Sequence, residues 1–461
     1  MEKQTIRKAT FGEILGFGLG ELPGTANAIL AAFLTMFYTD SIGMAAGAVG
    51  TMFFLSKIFD GISDLLAGSI IDKTRSKWGK ARPWLLWLAV PTGLSFALMF
   101  WVPQNASSTV QMVYAFITFN LFSTILYTMV AVAKTAMMPL ITQDGMSRSF
   151  LAISSLIFGL GGSILGYSLT VPFLMKLGFN VGAWRTVFSV YGIIVTVGMV
   201  LSFSLTHENV KSVEATVSEQ GVTEALSFIE SIKNFFSNKY FVFALMMTIA
   251  VNLNTNLNSG SQMYFYTYVM NDALLSTSLN LVNLIPTVLS IVLISGPCLR
   301  MFGKKKSVFI GAGLSLLACI LKGLAGMTTN IPLLVAGTVL GGLSVGPLSV
   351  PINTLVADAV DYGEYLTGKR IEGMGASVVS FSQKLSIGIA TGAVGWILQL
   401  TGYVANAVQN SATLNGIIAM FAWLPGIMLA VIMIGFLLVY KYDTEGKEVV
   451  AELERRKHGN E

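Results

Sequence analysis

At 461 residues the chain has room for about three soluble domains, but 54% of it is apolar and only 11% is Asp, Glu, Lys or Arg, under half the usual ~25% of a soluble domain. With a mean hydropathy of +0.69 a soluble enzyme is excluded, and a polytopic all-α membrane protein remains. The net charge of +5 sits mostly in short loops between apolar stretches, so it is no nucleic-acid footprint, and two cysteines inside apolar stretches (Cys298 and Cys319) support neither a disulfide framework nor a metal site.

The first ten residues are short and basic and carry no cleavage signature, which reads as a cytoplasmic leader to a first membrane helix. Apolar stretches able to cross a ~30 Å core follow. They fall near 12–38, 44–71, 84–102, 109–138, 150–175, 184–206, 239–270, 274–300, 307–326, 331–358, 374–400 and 411–441. These are twelve predicted transmembrane helices, because lipid requires each segment to satisfy its own backbone. With the N-terminus inside, 23 of the 29 Lys and Arg fall in loops on one side and two, Lys176 and Arg185, on the other. That bias predicts both termini in the cytoplasm.

The longest polar stretch divides the chain into an N-terminal six-helix bundle (1–206), a cytoplasmic central loop (207–238), a C-terminal six-helix bundle (239–445) and a cytoplasmic tail (446–461). Within the central loop Leu226, Ile229, Ile232 and Phe236 have helical spacing, which predicts an amphipathic interfacial helix. The halves echo one another: Gly68 and its basic turn follow the second span, and Gly296 with Gly303 and Lys304–Lys306 follows the eighth. Such duplicated, pseudo-symmetric six-helix units are those of the major facilitator type.

Charges at membrane depth each need a reason. Lys57, Asp60 and Asp64 share one face of the second span, with Ser63 beside them. One lysine cannot neutralise two aspartates, so this reads as a cation-coupling site of hard oxygen ligands, against a structural ion pair. Lys384 in the eleventh span shares a face with Ser380 and Gln383 and calls for a carboxylate partner, with Asp60 or Asp64 as candidates. Lys134 in the fourth span either faces the cavity and meets an acidic substrate or snorkels to the cytoplasmic end. Lys322 reads as an interfacial snorkeller. Glu13 and Glu21 flank the glycine-rich GFGLGELPG, where Pro23 and Gly24 break the helix around a ligand or the glycines serve helix packing. Asp72, Arg75 and Arg82 at the cytoplasmic mouth, with Asp358, Asp361, Glu364 and Arg370, form a candidate gate of ion pairs. The string Gly342-Leu-Ser344-Val-Gly346 lies in an apolar span with no histidine in reach along the spans, so no catalytic constellation emerges.

Two long motifs resemble a known family. Phe59-Asp60-Gly-Ile-Ser-Asp64 through Asp72, Arg75, Gly79 and Arg82-Pro83-Trp84 is one; Asp358-Ala-Val-Asp361-Tyr-Gly-Glu364 through Arg370 and Glu372-Gly373, followed by Lys384, is the other. Both are similar to the glycoside–pentoside–hexuronide:cation symporters of the major facilitator superfamily. Gly402-Tyr403-Val-Ala-Asn406 adds a likeness to the family's glucuronide carriers, and the cation motif a likeness to its melibiose carrier. The resemblance, covering about residues 10–445, implies that Asp60, Ser63, Asp64 and Thr128 bind the coupling cation, sodium or proton. It implies that Lys384, Ser380 and Gln383 lie near the sugar; the family's first-helix Lys-Asp pair has no clear match, Glu21 being the nearest acid, and Tyr127, Glu21 and Lys134 are the further candidate substrate contacts. The sequence departs from the family's polar sugar ligands at Ala131, Thr135 and Ser155 or Leu156, where a galactoside pose cannot be carried over.

The expectation is therefore an inner-membrane, monomeric symporter of a sugar or glycoside, in contact with lipid but not with nucleic acid, working by alternating access without a cofactor or any metal beyond a coupling sodium. The substrate is a glucuronide or hexuronide, or alternatively a neutral glycoside or pentoside. A membrane glycosyl- or acyltransferase and a non-transporting sugar sensor are the alternatives from other classes.

Overall fold

The passes of this membrane protein are set off by polar caps. Thr10, Ser107, Asp144, Asn180, Asn238 and Asn410 each accept a hydrogen bond from a first-turn amide of the helix that follows, satisfying donors that lipid cannot. The computed structural model describes residues 7–209, 238–367 and 372–439, with Val449, Glu452 and Arg455. Outside the described residues lie Arg370, the expected amphipathic helix with Leu226 to Phe236, most of the tail at 446–461, and the side chains of Asp64 and Asp72. Among the described residues there is helix and no strand.

Among the described residues twelve spans follow in order. Span 1 is Phe11–Ser41, span 2 Ala46–Lys73 and span 3 82–98. Spans 4, 5 and 6 are Ser108–Ile141, Gly145–Lys176 and Val181–Leu205. Span 7 is Lys239–Val269, spans 8 and 9 occupy Leu275–Thr328, span 10 is Ile331–Thr367, span 11 Glu372–Leu400 and span 12 411–439. Spans 8 and 9 form one helical run that reverses at Gly303, whose φ of +73° and ψ of 175° suit glycine alone. A residue with a Cβ would not make that turn without strain, so the basic Gly303-Lys-Lys-Lys306 turn is far tighter than the expected loop.

The chain forms two compact units. One gathers spans 1–6 together with 273–277 and 391–409; the other holds the rest of spans 7–12. The expected bundles ended cleanly at the central loop, whereas residues 391–409 fold with the first unit. The reason is close packing: a Cβ on Gly50 would come 2.6 Å from the Gly392 carbonyl oxygen, and Trp396 donates to Thr51 at 3.0 Å. At the end of span 1, Asp40 holds the segment beyond, accepting from Tyr403 Oη at 2.5 Å on its carboxylate and from Asn406 at 2.7 Å on its carbonyl.

Within the first unit, span 1 packs on spans 5 and 6, span 2 on span 4, and span 3 on span 6. Buried aromatic rings fill this interior, with Phe100 stacked on Phe188 at 3.7 Å and Trp184 5.5 Å from Phe37. In the second unit span 7 packs on spans 10 and 12, around Phe243 and Phe436 stacked at 4.8 Å. The duplication persists in backbone detail. Span 1 ends in a π-helical turn, Phe37–Ser41, and span 7 ends in another, Phe265–Val269, both opening Phe-Tyr-Thr. They are 228 positions apart, as are Gly68 and Gly296.

Spans 3 and 6 meet backbone to backbone. A Cβ on Gly93 would lie 2.3 Å from the Gly192 carbonyl oxygen. Gly93→Ala should therefore destabilise the purified protein by about 1–3 kcal/mol, the usual effect of overpacking, read as a fall in melting temperature. Gly161→Ala, with nothing within 4 Å of the added atom, should leave it unchanged. Equal melting temperatures for both variants would refute the close crossing.

Candidate functional site

The first polar cluster joins spans 2 and 4. Spacing of three on span 2 brings Lys57 Nζ to Asp60 Oδ2 at 3.0 Å, and Lys57 also donates to Ser123 Oγ at 3.1 Å. Thr128 donates to the other oxygen, Asp60 Oδ1, at 3.4 Å. Asp60 is only 6% exposed. Span 4 reaches span 2 this way because its middle is a π-helical stretch, Asn120–Leu126, whose extra residue per turn rotates Asn120 and Ser123 inward; Asn120 then donates to Ser56 at 2.8 Å. Ser63 donates to the Asp60 carbonyl at 2.9 Å, which leaves its oxygen lone pairs free to accept. The carboxylate and hydroxyls form a hard-oxygen donor set that suits a small cation or a proton. Lys57 is the resident cation of that set. Among the described residues no group of three or more His, Cys, Asp and Glu comes together to hold a metal. Asn120 and Ser123 escaped the sequence reading because a π-turn has no sequence signature comparable to a charge.

The second cluster lies between spans 1, 4 and 5. Span 1 breaks between Phe11–Leu19 and Leu22–Met36, with Pro23 in the first turn of the new helix. Glu21 stands at the break as the cap of the second helix, its amide donating to the Gly18 carbonyl at 2.9 Å and its carbonyl accepting from the Thr25 amide at 3.0 Å. Its carboxylate accepts from Lys134 Nζ and, at 2.7 Å, from Ser155 Oγ. Lys134 Nζ lies 2.6 Å from Ser155 Oγ and 4.8 Å from the centre of the Phe17 ring. Lys134 is 7% exposed, so it turns into the unit and does not snorkel. Nor is it a lone cation awaiting an acid, as the acidic-substrate expectation supposed: its charge is met by Glu21, because an unpaired ammonium at this depth would be more costly than the pair.

Two adjoining pockets, of about 220 and 420 Å³, share Glu21, Gly24, Tyr127, Met138 and Ser155. Ala131, Lys134 and Thr135 line the smaller one. Their walls mix apolar surface with a few convergent polar groups, the usual make-up of a small-molecule site. Glu21, Tyr127 and Lys134, singled out separately in the sequence, thus meet in one cavity, and Ser155 completes it. Ser155 was legible only as a departure from a family pattern.

The remaining expected residues fall elsewhere. Ser380, Gln383 and Lys384 are on span 11 in the second unit, Gln383 exposed and the other two half-buried. Of the candidate gate, Asp358 pairs with Lys304 at 2.7 Å within the second unit. Arg82 donates to the Phe203 carbonyl at 3.0 Å and lies 4.3 Å above the Phe203 ring within the first. Arg75 is exposed, and Asp361 and Glu364 are half-buried. Lys322 is also not an interfacial snorkeller: its stem lies along Gly337 and its ammonium sits 5.1 Å over the Phe421 ring, inside the second unit.

Known proteins resemble the chain along nearly its whole length. It is 30% identical to the isoprimeverose transporter of Lactiplantibacillus pentosus over 94% of this chain and 88% of that protein. It is 31% identical to the glucuronide carrier protein homolog of Escherichia coli strain K12, over 96% and 95%. The fold matches that of the xylose transporter XylE from E. coli with a TM-score of 0.61 at 15% identity, covering 93% and 98% of the two chains. Residues 16–444 match the family described as MFS/sugar transport protein. That match covers most of the chain, and the chain belongs to the MFS/sugar transport protein family.

Proposed function

We propose that the chain is a cation-coupled symporter that moves a sugar or glycoside across the cell's inner membrane by alternating access. It acts as a transporter and not an enzyme, as a monomer, with both termini in the cytoplasm and with sodium or a proton as the coupling ion. One observation carries the reading: the cavity between spans 1, 4 and 5 is lined by a charge pair, Glu21 with Lys134, bridged by Ser155.

That pair also favours a neutral substrate. Together Glu21 and Lys134 offer acceptors and donors with no net charge, and the hydroxyls of an uncharged glycoside can bond to both while the pair stays closed. A hexuronide would bring a carboxylate beside Glu21 and would have to draw Lys134 away from it, leaving a partly buried acid unpaired. The name of the glucuronide-carrier relative keeps the hexuronide as the second reading.

Coupling follows from competition at Asp60. Lys57 and Thr128 together occupy both carboxylate oxygens. An arriving cation must displace the ammonium, or an arriving proton must discharge the acid, and either event loosens the tie between spans 2 and 4. Sugar and cation then strengthen each other's binding reciprocally.

Asp60→Asn should abolish gradient-driven accumulation in proteoliposomes while downhill exchange persists, since the amide keeps the size and loses the charge. Accumulation equal to wild type would sink the coupling role.

Lys134→Gln should weaken transport of neutral and acidic sugars alike, by about 1.5–3 kcal/mol or roughly tenfold to a hundredfold in KM, the range of a charge-assisted contact. Glu21→Gln combined with Lys134→Gln should recover part of that loss, because no unpaired charge remains. If Lys134→Gln impairs only the uronides, Lys134 meets the substrate carboxylate and the hexuronide reading replaces the neutral one.

A further inference from the structure

Spans 3 and 6 of the first unit, which cross closely at Gly93 and Gly192, turn an apolar face outward. Val90, Leu94 and Trp101 are exposed on span 3, and Val190, Ile193 and Val197 on span 6. Spacings of three, four and seven place each set on one side of its helix. Leu94 is 57% and Ile193 62% exposed, and neither 83–102 nor 186–205 carries a charge. Apolar surface running the length of two adjacent membrane-spanning helices meets acyl chains, since water would make it costly.

At one end of this face stands Arg185. Its guanidinium lies 5.2 Å from the centre of the Trp101 ring. Nη2 donates to the Val102 carbonyl at 2.8 Å and Nε to the Phe100 carbonyl at 3.4 Å, which caps the last turn of span 3. The Trp101 indole N–H donates to Ser189 Oγ at 3.2 Å, yet the ring is 52% exposed. An anchored tryptophan at the end of an apolar face marks the headgroup level of a bilayer.

Arg185 has five N–H donors and spends two of them on those carbonyls; the other three have no partner among the described residues. No described carboxylate answers its charge either. Between Lys73 and His207 the sole acid is Asp144, which caps the start of span 5 and is separated from Arg185 by the whole of that span. Asp40, at the end of span 1, accepts from Tyr403 and Thr39 instead. A guanidinium fixed at headgroup level without a counter-ion calls for an anion from outside the chain.

We propose that Arg185, Trp101 and the groove between spans 3 and 6 form a phospholipid-binding site. The phosphodiester oxygens accept from the free N–H groups of Arg185, whose planar fork suits them. An acyl chain lies along Leu94 and Ile193. A free phosphate could take the same N–H groups but would gain nothing from the apolar groove. The site is separate from the Glu21–Lys134 cavity and does not depend on what the chain transports.

The test uses the full chain, purified and delipidated in detergent. Binding of dioleoylphosphatidylglycerol is titrated by native mass spectrometry, and its effect on melting temperature is compared with those of dioleoylglycerol and sodium phosphate. Phosphatidylglycerol at tenfold excess over its Kd should raise the melting temperature by about 3–5 °C, and neither other probe should. Arg185→Gln should raise the Kd roughly tenfold or more, the equivalent of one charge-assisted contact. Ser189→Asp keeps the guanidinium and sets a carboxylate one turn along the helix as a rival to the lipid, so it should weaken binding by a similar factor. Equal stabilisation by dioleoylglycerol would mean that the apolar face alone binds, and would overturn the phosphate contact. Equal stabilisation by sodium phosphate would make the ligand a free anion and defeat the lipid assignment. Wild-type affinity for phosphatidylglycerol in either folded variant would place the headgroup away from Arg185 and overturn the site; the comparison of probes on the wild type needs no substitution to fold.

Discussion

Neutralising charge where water is absent is the constraint on which this structure turns. A lone ammonium or carboxylate at membrane depth costs several kcal/mol, and among the described residues of the first unit Lys57 pairs with Asp60 and Lys134 with Glu21. The Lys57–Asp60 pair sits within span 2 but reaches span 4 through Ser123 and Thr128. The Lys134–Glu21 pair ties span 4 to span 1 and, through Ser155, to span 5. Each pair is a structural tie, and the second also lines a cavity with its polar atoms. Span 4 belongs to both pairs, with Thr128 and Lys134 less than two turns apart along it, so a change at one pair has a short, helical route to the other.

Departures from regular helix supply the geometry these pairs need. Glu21 stands at a break where Pro23 opens the new helix, and Ser123 faces span 2 because of a π-turn. Other departures fall at span ends, as in the π-turns Phe37–Ser41 and Phe265–Val269, and regular stretches pack closely, as at Gly93 against Gly192. Irregular backbone in a membrane is tolerated where protein or a water-lined cavity satisfies it, and it is found here beside the polar clusters.

The two units divide the chemistry. The first holds ion pairs at depth. In the second, Lys304 with Asp358 is an ion pair near the basic turn, and Lys322 is held over an aromatic ring. The polar run of span 7, Asn252 to Ser261, is entirely neutral.

How far the residues alone could be read varied with the kind of signal. Twelve spans, their order and the duplicated halves were legible, because hydrophobic length and basic turns are local properties that lipid selects directly. Asp60, Glu21 and Lys134 were legible as isolated anomalies, since a charged residue in an apolar run is conspicuous without any partner in view, whereas Tyr127 came only from the family resemblance. What could not be read was pairing: that Lys134 belongs to Glu21, that Arg82 lies on Phe203, and that residues 391–409 fold with the first unit. Those choices depend on which faces of distant helices meet, and that is decided by crossings such as Gly50 against Gly392 and by π-turns that rotate a face. The sequence by itself determined which residues could not remain in lipid unaided; only the tertiary structure decided what relieves each of them, because a partner's identity is a matter of distance in space and not along the chain.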